Sequence, residues 1–130
     1  MSNKSIVGIL GEDIACKFLI ERRYKILYRN YREKFDEIDI IAKSYNRTLS
    51  FLEVKTLQGF KDGLLGLMPE DHMNKLKYER ISRASRMFVA KHIDLIDFKK
   101  GWQIDLLAIN LNIQKDNFEI VHYENINPKY

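Results

Sequence analysis

Residues 37–55, EIDIIAKSYNRTLSFLEVK, hold two short apolar runs separated by the turn-prone Ser44–Arg47. Runs of this length, rich in β-branched residues and bounded by turn formers, read as strands, so Glu37–Ala42 and Leu49–Lys55 are expected to pair as a hairpin. Side chains alternate along a strand, which places Leu52 and Val54 on one face and Phe51, Glu53 and Lys55 on the other. Asp39 interrupts the apolar run of its own strand between Ile38 and Ile40. If helices cover both faces, these charged side chains point into protein, where an uncompensated carboxylate costs several kcal/mol.

Upstream, Val7, Leu10, Ile14, Ala15, Phe18 and Leu19 recur at three- and four-residue spacing, predicting an amphipathic helix from Ser5 to about Arg23. Projection at 100° per residue puts Glu12 between Leu19 and Cys16, inside the apolar arc, so a third carboxylate faces the sheet. Tyr24–Arg32 alternates and reads as a first strand. Downstream, residues 56–69 contain Gly59, Gly63, Gly66 and Pro69 and read as a flexible loop. A second helix is predicted from about Glu70 to His92, its buried side formed by Met73, Leu76, Ile81, Ala84, Met87 and Phe88. Trp102–Asn110 and Phe118–Glu124 are the last strands. The order of helix, three strands, helix and two strands predicts an α/β or α+β sheet with helices packed on it.

The 130 residues, 45% apolar and 31% charged, fit one domain spanning 1–130 with a real core. No run approaches the roughly 18 apolar residues of a membrane span. The first twenty residues carry Lys4, Glu12, Asp13 and Lys17 rather than a leader pattern, so the chain is expected to be soluble and cytoplasmic, with no membrane partner. The lone Cys16 excludes an intramolecular disulfide, and the three His show no zinc-ligand spacing. The charge is uneven. Residues 17–34 hold seven basic residues against Glu21 and Glu33, and residues 73–100 hold eight against Glu79, Asp94 and Asp97. Either two helices have solvated basic faces, or two positive arms flank an acidic centre where phosphates and a cation meet. Lys77 and Arg80 fall within the apolar arc of the second helix, either snorkelling over the sheet or reaching phosphate.

Glu12, Asp39 and Glu53 together with Lys55 leave two negative charges uncompensated, which suits a divalent cation. Structural ion pairing of Glu53 with Lys55, or of either with Asp39, is the competing explanation. Hard oxygen ligands favour Mg²⁺ or Mn²⁺, which keep waters and accept phosphate oxygens. Such a site supports phosphodiester hydrolysis, with Asp39 and Glu53 as metal ligands and Lys55 orienting or activating the nucleophile. The single residue between Glu53 and Lys55 is required, because only an i, i+2 pair shares a strand face.

Asp39, thirteen intervening residues and Glu53-x-Lys55, preceded by helical Glu12, resembles the PD-(D/E)XK superfamily of restriction-endonuclease-like nucleases. Within it, Gly11-Glu12, Ala15, Tyr24-x-Ile26-Leu27 with Asn30, Glu37-Ile38-Asp39, Phe51-x-Glu53-Val54-Lys55-Thr56, Lys77, Arg80, Ala84 and Ile104-Asp105 resemble the bacterial YraN-like proteins over residues 8–124. The resemblance implies a restriction-endonuclease-like α/β fold with a central mixed sheet of about five strands flanked by helices. It implies a Mg²⁺-dependent endonuclease acting on DNA, branched or single-stranded, and kinship with Holliday junction resolvases, which act as dimers. Carried over by position, Asp39 and Glu53 are metal ligands, Glu12 an accessory acid and Lys55 the catalytic lysine. Arg32, Lys77 and Arg80 are the candidate nucleic-acid contacts. The pattern departs at Asp36, where the family usually has Gly and which adds a charge expected close to the site, and at Leu57 and Gln103, where it tends to have Arg. A non-catalytic nucleic-acid-binding module, or an accessory subunit of a repair or recombination assembly, is the alternative.

Overall fold

The computed structural model describes residues 4–130. Helix α1 (Ile6–Glu21) starts at Ser5, whose hydroxyl accepts a hydrogen bond from the Gly8 amide at 3.0 Å. Strands β1 (Lys25–Glu33), β2 (Asp36–Lys43) and β3 (Leu49–Gln58) follow. A four-residue helix α2 (Pro69–His72), helix α3 (Lys75–Lys91) and a 3₁₀ turn (Ile93–Leu95) lead to β4 (Trp102–Asn112) and β5 (Asn117–Tyr123). The five strands form one mixed sheet in the order β1-β2-β3-β4-β5. All neighbours are antiparallel except β3 and β4, which pair parallel from Leu49↔Trp102 to Gln58↔Leu111. A parallel pair needs a crossover, and α2 and α3 supply it. The fold is the α/β mixed sheet flanked by helices that the sequence predicts.

Each face of the sheet carries its own apolar layer. Ala15, Cys16 and Leu19 of α1 pack on Ile40, Ala42, Leu52, Leu107 and Ile109. Ile81, Ala84 and Phe88 of α3 pack on Ile38, Ile41, Phe51, Ile104 and Leu106. Ile38 and Ile41 therefore share one face while Ile40 and Ala42 share the other, so strict alternation along β2 slips by one residue at Asp39. Across from it Asn30 adopts φ +52°, flanked by the pairs Arg29↔Ile40 and Tyr31↔Ile38. Pairing between β2 and β3 runs from Lys43↔Leu49 to Ile40↔Leu52 and goes no further. Asp39 and Glu53 lie just beyond its end, where the strands part.

Three expectations need correction. The second helix is not continuous from Glu70 to His92: Met73 and Asn74 are extended, and the Asn74 side chain accepts from the Lys77 amide at 2.8 Å, starting a new helix. Leu76, expected on its buried side, is exposed because it precedes the turns that contact the sheet. The loop expected at 56–69 begins later, since β3 stays paired through Gln58. Within that loop Leu64 is buried and its amide donates to Glu119 Oε1 at 3.1 Å. Among the described residues no helix is long and apolar enough to cross a membrane.

Candidate functional site

The parting of β2 and β3 decides where the charged side chains meet. With no strand partner at this point, the Val54 amide donates to Asp39 Oδ2 at 2.8 Å, so a side chain replaces a ladder hydrogen bond and fixes the Asp39 carboxylate. Glu53 sits beside it on β3. Glu12 arrives from α1 and is 2% exposed. Its approach depends on the preceding residue: a Cβ on Gly11 would lie 1.9 Å from Thr56 Oγ1 and 2.9 Å from Thr56 Cβ. Only glycine lets α1 close on β3 at that height. Lys55 is exposed at the mouth and has no ion pair among the described residues.

The carboxylates have unequal partners. Lys4, just ahead of α1, donates from Nζ to Glu12 Oε2 at 2.5 Å and to Asp39 Oδ1 at 2.7 Å. Arg29 donates to Glu12 Oε1 at 3.4 Å and to Asp13 Oδ1 at 2.8 Å. Burial works against the Lys4 charge, yet the hydrogen bonds to Asp39 and Glu12 raise its pKa above that of an ordinary lysine. Burial also opposes the charged form of Asp39, but hydrogen bonds from Glu53, Lys4 and the Val54 amide hold its carboxyl below the usual range. Glu53 is pushed well above the carboxylate range, first by burial and then by Asp39. Two carboxyls this close share a proton when no cation separates them. Lys77 approaches Glu53 Oε2 at 3.3 Å, but that buried oxygen accepts no hydrogen bond among the described residues.

These groups line a cleft of about 390 Å³, together with Ser5, Gly8, Glu37, Lys55 and Thr56. A second recess of about 300 Å³ continues past Lys55 and Lys77 to His72 and Asn74. The donor chemistry suits a hard divalent cation: an ammonium bridges Glu12 and Asp39, and Glu53 beside them keeps a buried oxygen without a hydrogen bond among the described residues, although the described group whose three ligand atoms all lie within 4.8 Å of one another is Asp105, His122 and Glu124.

All four residues read from the sequence, Glu12, Asp39, Glu53 and Lys55, come together here. Glu53 is not paired with Lys55, as the structural explanation required; its cation is Lys77. Lys77 thus joins the site, while Arg80 is exposed on α3 and Arg32 is exposed on β1, opposite Glu37. Asp36, whose charge was expected near the site, instead turns to α3, where Arg83 Nε and Nη2 each donate to it at 2.9 Å. Lys4 and Arg29 are not readable as site residues from the sequence, and Thr56 enters there only as part of the motif. Asp105, wholly buried, accepts from Gln103 Nε2, the Asn125 amide and His122 Nε2, all within 2.8–2.9 Å. Its oxygens are already satisfied on β4, where it is in register with Leu52, and His122 has the partner that spacing did not reveal.

Residues 11–109, from the glycine under Thr56 to the end of the β4 core, match the model of the uncharacterised protein family UPF0102. The chain belongs to the UPF0102 family. A UPF0102 protein of Campylobacter concisus is 36% identical over 121 residues, covering 93% of both chains. A UPF0102 protein of Caldicellulosiruptor bescii is 41% identical over 125 residues, covering 89% of this chain and 99% of its own. Membership in UPF0102 agrees with the YraN-like resemblance, and the PD-(D/E)XK placement is consistent with it.

Proposed function

We propose that this protein is a metal-dependent endonuclease hydrolysing phosphodiester bonds in nucleic acid, most naturally DNA. The observation that carries this reading is the bridging position of the Lys4 ammonium between Glu12 and Asp39, beside the orphaned Glu53 oxygen. A cationic position built from carboxylates on two strands and a helix is what a phosphoryl-transfer site needs. Glu12, Asp39 and Glu53 would hold Mg²⁺ or Mn²⁺. Such an ion, when bound, stabilises charge on the phosphate and lowers the pKa of a bound water. Lys55, at the mouth and without an ion pair among the described residues, is placed to hold a phosphate oxygen or orient the attacking water, and Lys77 supplies a second positive charge beside Glu53. The exposed Arg80 and Arg32 extend the positive rim that tracks a nucleic-acid backbone.

The test is cleavage of single-stranded, forked and duplex DNA with Mg²⁺ or Mn²⁺, by wild type and by Glu53→Ala and Lys55→Ala chains. Cleavage should need metal and fall at least about a hundredfold in both variants. Equal cleavage by wild type and variants would refute it. A non-catalytic binding module is the second reading, favoured by the same Lys4 contacts, which satisfy Glu12 and Asp39 without any metal. It predicts salt-dependent binding without turnover, unchanged by Asp39→Ala.

A further inference from the structure

The β1–β2 connection is a two-residue turn: Glu33 pairs with Asp36, and Lys34, at φ +54°, and Phe35 form its tip. Phe35 is 94% exposed. The tip is fixed from behind. Asp36 accepts two hydrogen bonds from Arg83, and Glu33 accepts one from Lys91 Nζ at 2.6 Å and one from the Tyr31 hydroxyl at 2.8 Å. Both carboxylates are buried, and Arg83 and Lys91 both come from α3, so the hairpin is braced against the helix at two points. This bracing neutralises Glu33 and Asp36 and leaves Arg32 and Lys34 exposed, with no ion pair among the described residues. Arg32 lies opposite Glu37, which lines the catalytic cleft. Asp39 follows Phe35 by four residues, about 13 Å at the rise of a strand, or about four base steps of a duplex.

We infer that Phe35 is a base-stacking residue: the braced tip presents its ring to an unstacked nucleobase of a single-stranded or branched nucleic acid, while Arg32 and Lys34 hold the flanking phosphates. Every base offers a π-face, and bases inside a duplex are already stacked, so the ring selects unpaired segments without reading sequence. The inference rests on the nuclease reading for the nucleic acid lying across the cleft.

Wild-type, Phe35→Ala and Phe35→Trp full-length chains are compared by fluorescence anisotropy on labelled single-stranded, forked and duplex DNA without divalent metal. Phe35→Ala should weaken single-strand and fork binding about tenfold, with duplex binding and the thermal melt unchanged. Phe35→Trp should retain binding and show a DNA-dependent quench absent from wild type. Equal binding by Phe35→Ala, equal loss on all three DNAs, or a change in oligomeric state on size exclusion, which would assign the ring to a second copy of the chain, overturns the inference. Metal-dependent cleavage by the same chains separates the two ideas. Intact cleavage with Phe35-independent binding removes the stacking role alone, Phe35-dependent binding with no cleavage removes the nuclease alone, and wild type that binds no DNA removes both.

Discussion

The ammonium of Lys4 contacts Glu12 and Asp39 together, so any cation entering the cleft must move it. Removing that ammonium leaves buried Asp39 without an ion pair among the described residues and Glu12 with Arg29 alone, which favours a metal ion. Lys4→Ala should therefore bind Mn²⁺ tighter by about tenfold, the worth of one charge-assisted hydrogen bond; calorimetry showing equal or weaker affinity would refute the competition. Glu12, Glu53 and Lys55 were legible in the sequence because helix and strand periodicity fix where each side chain points, and Asp39 because it interrupts an apolar run, even though alternation slips at that residue. Lys4 was not, because it precedes the helix and no period governs it. Asp36 was misplaced for a related reason: its orientation is set by Arg83, 47 residues away, and not by its own strand.

At the scale of elements, the helix–strand contact at Gly11 and Thr56 positions Glu12. Gly11→Ala should destabilise the protein by about 1–3 kcal/mol through overpacking, and reduce Mn²⁺ affinity; Thr56→Ala in the same chain should restore part of the melting temperature. The β1–β2 hairpin makes a separate, pH-readable contribution. Lys91 first, then the Tyr31 hydroxyl, holds the Glu33 carboxyl below its ordinary value. A lowered folded-state pKa means the stabilisation is complete above the unfolded pKa and disappears as pH falls through the folded one. Glu33→Gln should flatten this acid-side loss in urea melts taken on either side of pH 4.5. The strands and α1 were readable to within a few residues. The break between α2 and α3 was not, because it depends on the Asn74 cap and not on hydrophobic spacing.

At the scale of the molecule, the uneven charge along the sequence becomes a set of bridges between its parts. Arg29, Lys77, Arg83 and Lys91, all from the two basic segments, pair with Glu12, Glu53, Asp36 and Glu33. Four of the fifteen cations in those segments are thus spent inside the fold, while Arg32, Lys34, Lys55 and Arg80 are among the exposed cations that have no ion pair among the described residues. With about four phosphate contacts, single-strand binding should fall with salt at a log–log slope of about −3. Arg80→Ala should reduce that slope by about 0.7, and a slope near zero would argue against a nucleic-acid partner. Anomalous diffraction from a crystal soaked in Mn²⁺ tests the centre of this picture most directly. A metal-dependent nuclease predicts a peak held by the Asp39 and Glu53 carboxylates, with Lys4 displaced from Glu12 and Asp39; an empty cleft with Lys4 still bridging the two acids would contradict it.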